Sequence, residues 1–155
     1  DFKNQNRIII GGERPSTTKL RQVYSLAFPN AKIVKTGSIT AEMVKYFTNT
    51  FLATKVSFAN EMKMLCDELN IDYDKVVEYS TYDERLGKSH WAVPGPDGKL
   101  GFGGSCFPKD LNALIDLCYE KSIKANTLFG AWETNLEVRP EQDWKELKGR
   151  AVVDE

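Results

Sequence analysis

The chain has 155 residues, and its 21 lysines and arginines nearly balance its 22 acidic residues, for a formal net charge of −1. This length fits one domain with room for part of another, and the balanced charge gives no electrostatic argument for binding nucleic acid. No apolar run is long enough to span a membrane and no secretory signal opens the chain, so we expect no membrane contact. Because the first residue is Asp1 rather than methionine, we expect a piece of a longer or processed chain.

Cysteine and histidine are scarce in this chain. Three cysteines, at positions 66, 106 and 118, make an odd number without close pairing, and His90 is the only histidine. This usage argues against a disulfide framework and fits a reducing compartment, so we expect a cytoplasmic protein. A single histidine also argues against a histidine-rich zinc site, and we predict no metal site. His90 itself is predicted to be a surface residue of a loop.

The first 37 residues have the pattern of a strand, a helix and a second strand. The apolar run RIIIG at 7–11 predicts a buried strand, and AKIVKTG predicts a second one. Between them, apolar residues recur at helical spacing until a proline, at Leu20, Val23, Leu26 and Ala27. This order is typical of a parallel sheet, and because two strands are not stable alone, we expect further strands from outside this sequence. The pair Gly11-Gly12 lacks the G-x-G-x-x-G dinucleotide fingerprint and predicts a simple turn.

A single long helix is predicted from Ser38 onward. No glycine or proline interrupts residues 38–69, Ser38 or Thr40 can cap the start, and Glu42 suits the positive end of the dipole. Apolar residues recur at spacings near three and four, at Met43, Phe47, Phe51, Val56, Met62, Leu65 and Leu69. A helix of about 30 residues is longer than usual and needs packing on more than one side. We therefore predict a homodimer through residues 40–69, because such a helix leaves apolar surface that seeks a partner.

Three shorter helices are predicted in the rest of the chain, over about 74–80, 108–121 and 125–138. They make the fold mainly α, with a long central helix in a helical bundle that is preceded by a small α/β segment. The sequence from 140 to 155 is polar, and its final apolar trio AVV could start a strand.

A loop rich in glycine and proline, GKSHWAVPGPDGKLGFGGSC, precedes the second of these helices. At about twenty residues it is longer than a connector needs, so we predict that it is functional. The glycines near its end let the backbone approach a ligand closely and can offer N–H groups to an anion.

Cys106 lies where this loop meets the helix, in the stretch GFGGSCFPKD. Pro108 suits the first turn of a helix, since its missing N–H has no intrahelical acceptor there. The positive end of the helix dipole and the neighbouring Lys109 would both favour a thiolate. Asp110, one turn further, could act as a base or orient a water. We predict a nucleophile at Cys106 and inert behaviour for the other two cysteines, which lie among apolar residues at helical spacing.

Lys45 and Asn49 are four residues apart on the long helix and therefore share a face. Such a pair is usually a solvated edge. The residues alone give it little functional weight.

Four segments, in the right order, resemble the UDP-glucose/GDP-mannose dehydrogenase family. GFGGSCFPKD resembles its catalytic-cysteine motif, TAEMVKYFTNTFLATKVSFANEM its central helix, YDERLG its Asp-x-Arg-Ile-Gly step, and DFKNQNRIIIGG the end of its N-terminal nucleotide domain. The steps Asp-x-Arg-Leu-Gly and Phe-Pro-Lys-Asp are closer to the UDP-glucose branch than to the GDP-mannose branch. The resemblance implies the end of a Rossmann-type NAD domain at 1–37, a central helical domain for dimerisation and the catalytic cysteine at 38–139, and a polar tail at 140–155.

The resemblance also implies a reaction of nucleotide-sugar metabolism that supplies polysaccharide biosynthesis. Family members oxidise C6 of a UDP-sugar from alcohol through aldehyde to acid, and pass two hydrides to two NAD. By the match, Cys106 adds to the aldehyde as a thiohemiacetal, and the second oxidation leaves a thioester that water hydrolyses. Lys45 and Asn49 match the pair that steadies the oxyanion and water, and Asp110 matches the residue that helps to activate water. Arg85 matches an arginine that reaches the substrate, and the loop on the sugar corresponds to Gly101, Phe102, Gly103, Gly104 and Ser105.

The sequence departs from the family in what it lacks. It contains no G-x-G-x-x-G loop, no acidic substrate loop before DFKN and no C-terminal domain for the uridine end. We therefore expect NAD to be bound by the missing N-terminal domain and not by this chain alone. Two interpretations stay open: part of a UDP-glucose 6-dehydrogenase-like enzyme, or a truncated, non-catalytic dimerisation or interaction module. The enzyme is favoured because one sequence keeps Lys45, Asn49, Cys106 and Asp110 together.

Overall fold

The computed structural model describes residues 5–147. Two compact units divide this part of the chain, the first ending at Phe47 and the second beginning at Thr48. Among the described residues, no helix is both long and apolar enough to cross a bilayer. The segment DFKN at the start and the AVV trio, for which a strand start was predicted, lie outside the described residues.

The first unit contains the predicted strand, helix and strand. β1 (Arg7–Gly11) and β2 (Lys32–Thr36) pair in parallel, and α1 (Ser16–Ala27) makes the crossover that parallel pairing requires. The order of elements is therefore confirmed. The apolar residues that predicted α1 are nevertheless exposed, with exposed fractions of 45% at Leu20 and 86% at Leu26.

One long helix, α2 (Ser38–Glu68), runs for 31 residues as predicted. Its first turn holds no acidic residue, because the helix begins at Ser38 and Glu42 lies beyond that turn; the predicted dipole contact of Glu42 is therefore wrong. The large apolar side chains of α2 are not its buried ones, since Phe47 is 70% exposed and Phe51 61%. The buried positions carry mostly small or polar side chains, namely Thr50, Ala53, Lys55, Ser57, Ala59, Asn60 and Cys66.

The second unit adds three α-helices and two short 3-10 helices. The α-helices are α3 (Tyr73–Ser80), α4 (Phe107–Glu120) and α5 (Asn126–Val138), each within one residue of the predicted bounds. The 3-10 helices are Glu84–Leu86 and Asp143–Glu146. The mainly α fold with a small α/β segment is thereby confirmed.

Two apolar clusters hold the long loop against the helices of this unit. The first joins α2, the loop, α4 and α5 through Ala53, Phe102, Leu111 and Ala131. The second joins α2, α3 and the loop through Ala59, Cys66, Tyr73 and Val93. Beyond α5, Trp144 is also buried, and its ring centroid lies 5.4 Å from that of Trp132. Because Phe102 and Val93 are core residues, the loop between α3 and α4 has a defined path.

Candidate functional site

Cys106 occupies the N-cap of α4, which confirms its predicted position. Pro108 follows in the first turn and is buried, so this end of the helix is fixed in the core. The Cys106 side chain is exposed, and its Sγ lies 3.9 Å from Ser105 Oγ. First-turn amides of a helix lack intrahelical acceptors and give this end a positive partial charge. The sulfur is therefore open to a reactant at the N-terminal end of α4.

A buried carboxylate lies one turn after the cysteine. Asp110 is 0% exposed, and its backbone N–H donates to the Cys106 carbonyl at 2.9 Å. Asn49 Nδ2 donates to Asp110 Oδ2 at 2.6 Å, and Lys109 Nζ donates to Asp110 Oδ1 at 2.6 Å. Donors of this kind are what make a buried carboxylate tolerable. The structure thus brings Asn49 of α2 together with Asp110 of α4, one turn from Cys106.

Lys109, the residue predicted to support the Cys106 thiolate, pairs with the neighbouring carboxylate. Its ammonium was predicted to favour a thiolate at Cys106, and in the structure it forms an ion pair with Asp110. Its positive charge is therefore balanced by a carboxylate. The effect of Lys109 on the Cys106 sulfur stays a prediction.

Lys45 lies in α2, with its ammonium 5.2 Å from the centroid of the Tyr46 ring. Lys45 belongs to the first unit, and Asn49, Cys106 and Asp110 belong to the second. The role of Lys45 beside the cysteine stays a prediction.

Arg85 lies in the 3-10 helix Glu84–Leu86 with an exposed side chain. Its Nε donates to both oxygens of Asp83, at 2.9 and 3.0 Å, and this hydrogen bonding raises the pKa of Arg85. Among the described residues, the Arg85 side chain binds Asp83 and neither Cys106 nor Asp110. Its predicted contact with a substrate stays a prediction.

Two buried asparagines hold the glycine loop from behind. Asn135 of α5 is 0% exposed; its Oδ1 accepts from the Phe102 N–H at 2.7 Å, and its Nδ2 donates to the Phe102 carbonyl at 3.0 Å. Asn60 of α2 accepts from the Gly101 N–H at 3.1 Å. Gly101 has a φ of +64°, and a Cβ there would lie 2.4 Å from Asn135 Oδ1, so only glycine fits. The loop path before Cys106 is therefore set by α2 and α5.

A buried arginine ties the outer part of the loop to the end of α5. Arg139 is 2% exposed, and its Nη2 donates to Asp97 at 2.8 Å and to Asp143 at 2.7 Å. Its Nη1 donates to the Leu100 carbonyl at 3.3 Å. The hydrogen bonds from Arg139 lower the pKa of Asp143 to about 2. A Cβ on Gly103 would lie 2.4 Å from Nη2, so the loop backbone passes directly over the guanidinium.

One face of the loop borders a cleft of about 470 Å³. Its lining includes Gly101, Gly103, His90 and Phe107. His90 is exposed as predicted, and its ring centroid lies 5.8 Å from that of Phe107. Burial, and then the charge of Lys55, lower the pKa of His90. A cleft of this size accepts a small organic ligand, and the backbone of the glycine loop forms part of its wall.

A second depression, of about 1030 Å³, lies where α4 and α5 are connected. Its lining includes Tyr119 and Phe129 and none of the residues predicted for the site. The smaller cleft borders the glycine loop that leads to Cys106, although Cys106, Asn49 and Asp110 are not among its lining residues.

Sequence reasoning missed Asn60, Asn135 and Arg139. All three are polar residues at buried positions, and apolar periodicity assigns polar positions to solvent. The glycines at 101 and 103 were the available signal. They indicate that something approaches the backbone closely, without indicating what it is.

The comparisons with known proteins identify the family of this chain. Residues 39–137 match the profile described as "UDP-glucose/GDP-mannose dehydrogenase family, central domain". This range includes Asn49, Arg85, Cys106 and Asp110. The chain belongs to the UDP-glucose/GDP-mannose dehydrogenase family, which confirms the resemblance drawn from its motifs.

Its relatives include UDP-glucose 6-dehydrogenases. The chain is 37% identical over 142 residues to that of Rickettsia prowazekii, a match that covers 90% of this chain and 31% of the relative. It is 42% identical over 117 residues to that of Pseudomonas aeruginosa, covering 74% of this chain and 25% of the relative. The structure is similar to that of a UDP-glucose dehydrogenase from the hyperthermophilic archaeon Pyrobaculum islandicum, with a TM-score of 0.80 and 35% identity over 88% of this chain and 30% of that one. The chain thus spans between about a quarter and a third of the length of these relatives.

Proposed function

We propose that this chain is the central, cysteine-bearing part of an NAD-dependent UDP-glucose 6-dehydrogenase. One observation carries the proposal: an exposed Cys106 begins α4, and one turn later Asn49 binds a buried Asp110. The three relatives named above support the substrate, since each is called a UDP-glucose dehydrogenase. In the proposed reaction the C6 alcohol of a UDP-sugar becomes a carboxylic acid.

The residues of this chain do not themselves fit NAD. A dinucleotide site needs a glycine-rich turn that leads from a strand to a helix whose N-terminus receives the pyrophosphate. Between β1 and α1 the sequence is GERP, and the first turn of α1 follows Pro15 without a side-chain cap. The proposal therefore places NAD on residues outside this chain, in a longer chain or a separate one. Bound there, NAD would supply the oxidising chemistry of the reaction as a hydride acceptor.

Cys106 acts on the aldehyde that the first oxidation produces. Its thiolate forms a C–S bond with C6, and the carbonyl oxygen takes up a proton to give a thiohemiacetal. The second oxidation removes a hydride from C6 and a proton from the oxygen, which leaves a thioester. Water then adds to C6, the C–S bond breaks, and the acid and the thiol are released. The positive end of α4 stabilises the thiolate at the start and end of this sequence.

In the proposal, Asn49 stabilises the oxyanion and Asp110 orients Asn49 and helps to activate the water. The Asp110 carboxylate fixes the Asn49 amide by the 2.6 Å hydrogen bond, so that the amide is oriented before substrate arrives. Lys45, one turn before Asn49 on α2, supplies positive charge to the same oxyanion. Asp110 takes part in activating the water that hydrolyses the thioester.

The glycine loop receives the sugar, and α2 forms the dimer. The cleft that borders Gly101–Gly104 holds the sugar, and the exposed Arg85 binds the nucleotide sugar from its own or the partner subunit. The exposed Phe47 and Phe51 lie on the helix predicted to pair two copies of the chain. We place the protein in the cytoplasm, where a catalytic thiol stays reduced.

The test is made in the complete dehydrogenase that contains this chain. We expect NADH to form on addition of UDP-glucose, and chromatography to show the uronic acid. Cys106→Ser should stop formation of the acid far more than loss of the alcohol, because the covalent adduct serves the second oxidation. Cys118→Ser is the matched control and should resemble the unsubstituted enzyme.

Two results would count against the proposal. Acid formation by Cys106→Ser at the unsubstituted rate would remove the nucleophile from Cys106. Failure of the unsubstituted enzyme to oxidise UDP-glucose would favour the non-catalytic dimerisation module.

A further inference from the structure

α2 carries a buried lysine that the proposed chemistry does not use. Lys55 is 9% exposed, and its ammonium donates to the Leu86 carbonyl at 2.8 Å and reaches the Gly87 carbonyl at 3.4 Å. The same ammonium lies 4.2 Å from the centroid of the Trp91 ring. Among the described residues its partners are these carbonyls and this ring, with no carboxylate, and burial lowers the pKa of Lys55. A charge kept inside without a counter-ion is costly, so its contacts need an explanation.

These acceptors belong to the turn that carries Arg85. The 3-10 helix Glu84–Leu86 ends at Gly87, whose φ is +59°. The last carbonyls of a helix lack intrahelical donors and carry negative partial charge, which an ammonium satisfies. Trp91 Nε1 also donates to the Gly87 carbonyl, at 2.8 Å, and the Tyr73 hydroxyl donates to the Trp91 carbonyl at 2.8 Å. The end of the turn is thus held by Lys55 of α2 and by the indole of Trp91, a residue whose backbone carbonyl accepts from Tyr73 of α3.

We propose that Lys55 is a positioning residue that sets the conformation of the Arg85 turn. Leu86 and Gly87 directly follow Arg85, so an ammonium on their carbonyls fixes the backbone from which the guanidinium projects. Within the described residues the Arg85 side chain binds Asp83 of the same turn, so its direction depends on where that turn is held. The consequence for the substrate rests on the proposed function, in which Arg85 binds the nucleotide sugar.

The chemistry of lysine suits this task. An ammonium has three donors, enough for two carbonyls, and its charge is attracted to the face of an aromatic ring. If the side chain at position 55 only filled space, methionine would hold the turn equally well, because it has a similar length and no donor. The distinction between donor and filler can be measured.

Trypsin reports on the turn directly, because it cleaves after Arg85. Lys55→Met removes the ammonium, Lys55→Arg keeps the charge and the donors, and Lys63→Met is a control at the surface of the same helix, where Lys63 pairs with Asp67. We expect the Arg85–Leu86 bond to be cut about tenfold faster in Lys55→Met, with other sites unchanged, because losing the donor favours local opening. Lys55→Arg and Lys63→Met should be cut there at nearly the unsubstituted rate.

Three outcomes decide the structural part. Equal cleavage after Arg85 in Lys55→Met and in the unsubstituted chain overturns the proposal. Faster cleavage of Lys55→Met at every site also overturns it, because that result shows a general loss of stability. If Lys55→Met does not fold, Lys55→Leu decides in its place, because it also lacks a donor, and it must give the same selective increase.

The link to the substrate is measured in the complete dehydrogenase. We expect Lys55→Met to raise KM for UDP-glucose about tenfold with kcat within about twofold, because a misplaced Arg85 loses binding rather than bond-making. Lys55→Arg should restore KM. An unchanged KM beside a loosened turn overturns the link to the substrate. An unsubstituted enzyme that does not oxidise UDP-glucose refutes the proposed function alone, and the trypsin result then decides the role of Lys55 in the turn.

Discussion

Removal of the Asn135 carboxamide should loosen the glycine loop at a cost in stability that the structure allows us to estimate. Asn135→Ala deletes the hydrogen bonds to the N–H and to the carbonyl of Phe102. Each backbone group then stays buried without its partner, at about 1–3 kcal/mol apiece, so the free energy of unfolding should fall by about 2–6 kcal/mol. Asn126 is exposed at the start of the same helix, and Asn126→Ala should change that free energy by less than about 0.5 kcal/mol.

The assay is guanidinium unfolding followed by tryptophan fluorescence, because all three tryptophans lie in the second unit with Asn135. An unfolding free energy for Asn135→Ala within about 0.5 kcal/mol of the unsubstituted chain would refute the reasoning. It would mean that the Asn135 hydrogen bonds to the Phe102 backbone do not stabilise the fold.

Asn135→Asp tests the direction of these hydrogen bonds. An ionised carboxyl can accept from the Phe102 N–H but cannot donate to its carbonyl, whereas a protonated carboxyl can do both. Burial raises the pKa of the introduced carboxyl in the folded state, so its contribution to stability is present at low pH and is lost as pH rises through that pKa. The variant should therefore lie closer to the unsubstituted chain at pH 5 than at pH 7. Equal differences at both values would argue against the two-bond clamp.

Four further predictions can be checked on this chain. Iodoacetamide should label Cys106 before Cys118 and Cys66, because Cys106 is the exposed one of the three, and equal rates on peptide mapping would contradict that access. The pKa of Asp143, about 2 against an ordinary 3.8, implies a contribution of at most about 2 kcal/mol that is present above pH 4 and lost as pH falls toward 2; acid unfolding that is the same in Asp143→Asn would contradict it. Sedimentation should show a dimer that Phe51→Glu weakens, since Phe51 is exposed, whereas a monomeric unsubstituted chain at micromolar concentration would exclude the dimer. Calorimetry should detect no sub-millimolar NAD binding, and a specific signal would show that the chain holds a dinucleotide site after all.

The elements could be predicted because their signals are local. The absence of glycine and proline between 38 and 69 predicted α2, and Pro108 placed the start of α4 within one residue. In each case the residues that decide the conformation are those that adopt it, so no knowledge of the rest of the fold was needed.

Burial on α2 could not be predicted in the same way. Periodicity identifies an apolar face but does not say what covers it. The described neighbours of α2 pack on small residues such as Ala53 and Ala59, and Phe47 and Phe51 are left exposed. The sequence therefore predicted a helix whose apolar residues must pack against something. The expectation of a second copy of the chain came from the amount of apolar surface on that helix and not from the spacing of its residues.

The site was predictable to the extent that its residues form a motif. Cys106 and Asp110 lie in one short segment whose residue types indicate nucleophilic chemistry, whereas Asn49 was predicted as a site residue only from the family resemblance. The Asn49–Asp110 hydrogen bond is an observation independent of that resemblance, because it joins positions 61 apart in the sequence. Asn60 and Asn135 bind backbone rather than side chains, and a backbone acceptor or donor leaves no residue-type signal to read.

The polar contacts of α2 explain why its largest apolar side chains face outward. Asn49 binds Asp110 and Asn60 binds Gly101, so one helix holds the last and the first residue of GFGGSCFPKD. Eleven residues separate the two asparagines, which is about three turns, so they share a face and lie about 16 Å apart along the axis. The inward face of α2 therefore binds the motif at both of its ends. A phenylalanine on that face would displace the backbone that carries Cys106. The rigid spacing along α2 is thus what fixes the cysteine between its two anchors, and apolar residues are left to the faces that the motif does not use.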